Sequence, residues 1–194
     1  MDMKLVVGLG NPGKEYKNSR HNVGFSALDS FLAYLHTQKL LSGDVEWKQS
    51  KGVKAEYAWF ETDDETAELL KPQTFMNKSG VAVLYALGKH PKLSSADILV
   101  VHDEMGFAAG DYKFSFKKEA NSHNGVQSII DALGTSDFWR LRVGVGGGNK
   151  EERNQDAAEY ILSSPSYWED RKIKQLLTAE LPEQILLWIR GKIN

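Results

Sequence analysis

The strongest constraint on the fold comes from two short apolar runs. One spans Lys4 to Leu9 and the other Ile98 to Val101, and each breaks off abruptly into glycine-rich or ionisable sequence. An apolar run of this length without alternation fits a strand buried on both faces, which occurs where helices cover a parallel sheet from either side. The rest of the chain supplies suitable helices. Phe25, Leu28, Phe31, Leu32 and Leu35 recur at helical spacing between about Gly24 and His36. A second helix is expected from about Asn77 to Leu87, carrying Val81, Leu84 and Leu87, and a third from Asn124 to Leu133. Two C-terminal helices close the chain, the second kinked near Pro182.

The remaining segments read as strands. Val45 to Gln49, Val53 to Glu61 and Ala67 to Lys71 resemble a meander, with Asp63-Asp64-Glu65 marking a turn. Tyr112, Phe114 and Phe116 alternate with Lys113, Ser115 and Lys117, and Phe138 to Gly146 sets Trp139, Leu141, Val143 and Val145 opposite Arg140 and Arg142. Strands interleaved with helices predict an α/β fold: a three-layer α/β/α arrangement with a central mixed, mostly parallel twisted sheet. At 194 residues the chain fits one domain, residues 1–194.

Composition narrows the chemistry. Without cysteine there is no disulfide, thiolate nucleophile or cysteine-bound zinc. No stretch approaches the roughly 18 apolar residues of a spanning helix, so no membrane role is expected. The N-terminus runs straight into a strand without a signal-like core, which makes a cytoplasmic location the expectation. With 24 Lys and Arg against 26 Asp and Glu, the net charge of −2 is no signature of a nucleic-acid binder, so any RNA must meet a local positive surface.

Gly8-Leu9-Gly10-Asn11-Pro12-Gly13 formally matches a dinucleotide fingerprint. That fingerprint needs its last glycines to open a helix, whereas Pro12 and the polar run Lys14 to Ser19 show no helical stripe. A tight turn is the plainer reading. His21 follows among polar residues just before a helix, where it reads as a surface or capping residue or as a general base. Asp103 closes the second apolar run, as a turn former or as a partner for a histidine. If the two runs are parallel neighbours, Asn11, His21 and Asp103 converge at one rim of the sheet, where α/β proteins bind ligands. A His-Asp pair without a nucleophilic serine motif or H-E-x-x-H points to water as the nucleophile. Asn77 and Asn124 each precede a helix, as caps or as amide donors to an oxyanion.

Together these segments resemble the bacterial-type peptidyl-tRNA hydrolase family. The matching residues are Gly8 to Gly13 with Tyr16 and Arg20-His21-Asn22-Val23-Gly24, and Lys71-Pro72 with Thr74-Phe75-Met76-Asn77 and Ser79-Gly80. His102-Asp103-Glu104, His123-Asn124-Gly125 and Phe138 with Arg140 to Gly146 complete the set. The resemblance implies a monomeric esterase without metal or cofactor, acting on peptidyl-tRNA and not on DNA. In it His21 acts as base on water, Asp103 supports it, and Asn11 senses the blocked amino group. Asn77 and Asn124 position substrate and water, Tyr16, Phe75 and Met76 line the cleft, and His123 belongs to the substrate-binding set. Two departures concern RNA. Phe116 to Ser122 stands where most relatives have a glycine-rich loop, and Ser115 aligns with a lysine that clamps the tRNA 5′ phosphate together with the counterpart of Arg142. Lys113 and Lys117, on the same strand face as Ser115, are the expected substitutes. Two rival readings accompany the enzyme: an RNA-binding relative without turnover, and a nucleotide-dependent oxidoreductase.

Overall fold

The computed structural model describes residues 3–62, 64–146 and 157–193. The strands are β1 (Lys4–Gly8), β2 (Lys48–Gln49), β3 (Ala55–Glu61), β4 (Thr66–Pro72), β5 (Ile98–Ala108), β6 (Tyr112–Phe116) and β7 (Trp139–Gly146). They form one sheet in the order β2-β3-β4-β1-β5-β7-β6. The central four, β4, β1, β5 and β7, are parallel, while β2, β3 and β6 add antiparallel edges. Mixed and mostly parallel is therefore the correct description, and β1 and β5 are indeed parallel neighbours, with Gly8 opposite Val101.

The helices are α1 (Val23–Thr37), α2 (Ser79–Lys89), α3 (Asn124–Leu133), α4 (Ala157–Leu162), α5 (Tyr167–Ala179) and α6 (Leu181–Ile189). Alternation along the strands divides the core into two layers. Val6, Leu99, Val101, Leu141 and Val143 face α1, α4, α5 and α6, while Leu5, Val7, Ile98 and Val100 face α2 and α3. Both faces of β1 and of the first half of β5 are thus removed from water, which is why Lys4 to Leu9 and Ile98 to Val101 show no polar alternation.

Several expectations change in detail. The Val45–Gln49 strand contracts to two exposed edge residues, with Val45 and Trp47 packed against the α1-side core from outside the ladder. The acidic turn closes through the Thr62 N–H donating to the Glu65 carbonyl at 2.9 Å, with Asp63 itself outside the described residues. In α2 the buried face is Ala82, Val83 and Ala86, whereas Val81 and Leu84 are exposed. The reason is close packing: a Cβ on Gly80 would lie 2.1 Å from the Ser128 carbonyl oxygen of α3, so only small residues fit that face. Among the described residues the C-terminal part holds three helices instead of two, and Pro182 opens α6, where its missing N–H would have been unpaired anyway.

One close approach sets the geometry of the functional rim. A Cβ on Gly8 would meet the Gly24 carbonyl oxygen at 2.4 Å, and one on Gly24 would meet Leu9 N and Val101 O at the same distance. The start of α1 therefore rests directly on the ends of β1 and β5. Gly24→Ala is expected to lower stability by about 1 to 3 kcal/mol through overpacking, read as a lower urea midpoint with an unchanged m-value.

Candidate functional site

Residues 11–19, which link β1 to the His21 turn, form turns instead of the helix a dinucleotide fingerprint requires. Tyr16 N–H donates to the Gly13 carbonyl and Ser19 N–H to that of Tyr16. The chain then makes a short 3-10 turn, Arg20–Asn22, before α1. Asn22 occupies the α1 N-cap position but does not cap it. Its Oδ1 accepts from the Asn11 N–H (2.8 Å) and its Nδ2 donates to the Asn11 carbonyl (2.9 Å), tying the ends of the loop together. Sequence reasoning left Asn22 without a role, because an asparagine before a helix looks like a cap.

The same turn aims His21 at the rim. β5 does not stop at Val101 but continues through His102, Asp103 and Glu104, with an irregular register against β7 before Ala108. Asp103 is 4% exposed, and its Oδ1 accepts from His21 Nδ1 (2.7 Å) and His123 Nε2 (3.0 Å). Burial opposes its charge, yet the two histidines, His123 first, hold the carboxyl well below the usual carboxylate range. The imidazole tautomers follow. His123 Nδ1 accepts from the N–H groups of Gly125 and Val126 as the N-cap of α3, so its proton sits on Nε2 and points to Asp103. His21 donates its Nδ1–H to Asp103, which leaves Nε2 with its lone pair and no partner among the described residues.

His123, expected in the substrate-binding set, lines the cleft, with its ring nitrogens engaged by Asp103 and by the first N–H groups of α3. It also removes the capping role from Asn124, which becomes the first residue of α3 with a side chain free of cap bonds. Asn77 likewise caps nothing: the caps around it are Phe75 and Lys78, neither bonding through a side chain. Both asparagines are exposed and line a cleft of about 500 Å³ that also contains Asn11, His21 and Asp103.

Phe75, 61% exposed, and buried Met76 stand on one side of this cleft, and Ile161 and Leu162 of α4 on another. Tyr16, expected in the lining, is not part of it, because the turns of residues 13–19 carry it outside. Asn121 and Ser122 line the cleft with left-handed backbone (φ +48° and +69°), and Lys117, just after β6, also has positive φ (+53°). The segment where a glycine-rich loop was expected thus has the conformation glycine favours.

The expected phosphate clamp is rearranged. Arg142 donates twice to Glu104 Oε2 (3.1 and 2.7 Å) and lies over the Phe107 ring, while Lys113 faces it in register across β6 and β7. Lys117 leaves the strand face and pairs with Asp137 at 2.8 Å. Ser115 sits opposite Arg140, whose guanidinium donates to the Glu119 carbonyl.

His21, Asp103 and His123 are also the one group among the described residues whose ligand atoms lie close enough, within 4.8 Å, to hold a metal ion. Proton sharing at 2.7 and 3.0 Å accounts for their arrangement without an ion. A second hollow, of about 560 Å³, lies between α1 and α5. Its acids Asp29 and Asp170 are already paired with Lys71 and Lys174, and it lacks the histidine–aspartate pair and the asparagines that meet in the first cleft.

Residues 5–193 match the family model described as peptidyl-tRNA hydrolase. The chain is 41% identical over 177 residues to the peptidyl-tRNA hydrolase of Aquifex aeolicus, covering 91% of this chain and 85% of that protein. It is 37% identical over 192 residues to that of Dehalococcoides mccartyi, covering 99% and 96%. The crystal structure of peptidyl-tRNA hydrolase from Acinetobacter baumannii superposes with a TM-score of 0.84 at 25% identity, covering 98% of this chain and 90% of that one.

His102 generates a prediction of its own. It is 3% exposed, donates from Nδ1 to the Asp103 carbonyl (2.8 Å), and meets the His123 ring edge-on at 4.7 Å. Burial, with His123 adding to it, pushes its imidazole down from 6.5 to about 3. Below the unfolded value the unfolded chain takes up a proton that the folded chain refuses, so stability falls as pH drops from about 6.5 toward 3. His102→Asn should flatten that slope, removing about 2 kcal/mol of the loss between pH 6.5 and 5 in urea unfolding.

Proposed function

Because the chain belongs to the peptidyl-tRNA hydrolase family and hydrolyses the ester joining a peptide to the 3′ end of tRNA, we propose that His21 is the base that activates the attacking water. The observation that carries this is the commitment of His21 Nδ1–H to Asp103, which presents the Nε2 lone pair to the cleft. Nε2 takes a proton from water as the oxygen attacks the ester carbonyl. The tetrahedral oxyanion then collapses, the bond to the ribose oxygen breaks, and the imidazolium returns the proton to that oxygen. The products are free tRNA and a peptide carboxylic acid. Asp103 holds the ring in the productive tautomer and stabilises the transient imidazolium. Asn77 and Asn124, free of capping duties, are the donors for the oxyanion and for holding water or substrate.

Asn11 supplies the selection for a blocked amino group. Its Oδ1 accepts from the Met76 N–H at 2.8 Å, which directs the oxygen to the backbone and leaves the Nδ2–H donors for the cleft. An N-blocked residue presents a carbonyl oxygen that accepts from such donors. The ammonium of unblocked aminoacyl-tRNA only donates and so cannot bond to Nδ2–H. Phe75 and Met76 provide apolar surface for the 3′ nucleotide and peptide. For the tRNA body, Lys113 is the substitute for the missing clamp lysine, since it lies across from Arg142 whereas Lys117 is engaged by Asp137. The active form is a monomer without metal or cofactor, working in the cytoplasm where translation produces its substrate.

His21→Ala should lower kcat on N-acetyl-aminoacyl-tRNA by about 10² to 10⁴ with little change in tRNA affinity. Folded wild type that binds tRNA but fails to cleave would refute the catalytic reading. Lys113→Ala should weaken tRNA binding and reduce the salt slope of log K by about one, with Lys117→Ala close to wild type. Filter binding across a salt series separates the two lysines.

A further inference from the structure

Arg20 stands next to the base, is 6% exposed, and sends its guanidinium away from the catalytic pair. All its acceptors lie in the segment from Tyr160 to Glu169. Nη1 donates to Ser163 Oγ (2.7 Å) and to the carbonyls of Ser164 (2.8 Å) and Tyr160 (3.3 Å), and Nη2 donates to Glu169 Oε2 (2.7 Å). The Arg20 backbone N–H donates to the Ser163 carbonyl at 3.1 Å, and the guanidinium carbon lies 4.0 Å from the centroid of the Tyr160 ring. These contacts end α4, the helix that brings Ile161 and Leu162 to the cleft, and begin α5.

The anchor at the far end is firm. Glu169 is 9% exposed, and its Oε2 also accepts from the Ser166 N–H at 2.7 Å in the capping box of α5. Burial opposes the Glu169 charge, but the Ser166 hydrogen bonds and Arg20 keep its carboxyl below the ordinary range. On the near side, Arg20, His21 and Asn22 share one 3-10 turn, so the side chain that grips α4 is rigidly related to the base and to the asparagine that fixes Asn11.

We propose that Arg20 is a positioning residue for the hydrolysis: by bolting the His21 turn to α4 it fixes the distance between the base and the apolar wall, so that a substrate packed on Ile161 and Leu162 presents its ester to the water at His21. The proposal rests on His21 being the base. It requires an arginine. A guanidinium offers a planar fork that spans a carboxylate and several carbonyls at once, whereas a lysine ammonium keeps the charge pair with Glu169 and loses the span. Reaction rate is sensitive to such spacing, since a displacement of about 1 Å can cost about 10²-fold.

The test is steady-state hydrolysis of N-acetyl-aminoacyl-tRNA by wild type, Arg20→Lys and Glu169→Gln, at a temperature where circular dichroism shows each variant folded. Arg20→Lys should lose about 10- to 100-fold in kcat with KM changed by less than about threefold. The pH midpoint of kcat/KM should stay at the wild-type value, because the His21–Asp103 pair is untouched. Glu169→Gln should lose a smaller part of kcat with the same pH midpoint. A folded Arg20→Lys with kcat within about twofold of wild type would overturn the proposal and leave Arg20 a stabilising residue only. If Arg20→Lys does not fold, Glu169→Gln decides: wild-type kcat overturns the proposal, and a reduced kcat with unshifted pH midpoint upholds it. His21→Ala is run alongside, and its retention of full turnover would sink the base assignment whatever the Arg20 result.

Discussion

A carboxylate 4% exposed at the rim of a parallel sheet is the element on which the site depends. Left alone, the Asp103 charge would cost several kcal/mol in desolvation, and it persists because two imidazoles donate to the same oxygen. The compensation propagates outward. His123 can donate to Asp103 only while its other nitrogen caps α3, and His21 can do so only while its turn sits tightly on β1 and β5. The charge of Asp103 thereby fixes both tautomers, the start of α3 and the direction of the free His21 lone pair.

Around that charge the site is built from amides that carry no charge. Asn22 clamps both backbone groups of Asn11, and the Asn11 side chain receives the Met76 N–H, so the loops after β1 and β4 are held by a neutral chain of bonds. Such a chain leaves specific hydrogen-bonding atoms unspent, namely the Asn11 Nδ2 and the side-chain amides of Asn77 and Asn124. A substrate amide and a developing oxyanion are neutral or transiently charged acceptors, and preorganised neutral donors suit them better than a fixed cation that would also hold the product carboxylate. Arg20 keeps its cation on the side of α4, away from the reacting atoms.

Strands β6 and β7 show a different economy. Ser115, where the family resemblance implies a lysine, has its Oγ buried without a partner among the described residues, opposite Arg140. The strand retains one exposed cation, Lys113, directly across from Arg142, so positive charge remains near the expected phosphate although its spacing differs. Arg142 is already paired with Glu104, and a phosphate must share that guanidinium with the carboxylate.

Much of this protein is determined by the sequence alone. The two apolar runs, the helical stripe of α1 and the alternation along β6 and β7 dictate an α/β fold, because burial on one or both faces leaves a periodic trace in the residues themselves. The family, the reaction and the candidates His21, Asp103 and Asn11 are also legible, since they sit where strands end and polar residues have no core to serve. What the sequence does not contain is which lone pair each polar group has already spent. His123 caps α3 where Asn124 was the candidate cap, Asn22 and Arg20 acquired tasks no pattern announced, and Lys117 swung to Asp137 while Lys113 stayed beside Arg142. Those assignments belong to the tertiary structure, because a hydrogen bond depends on distances of a few tenths of an ångström between residues far apart in the chain, and these exist only once the core has packed.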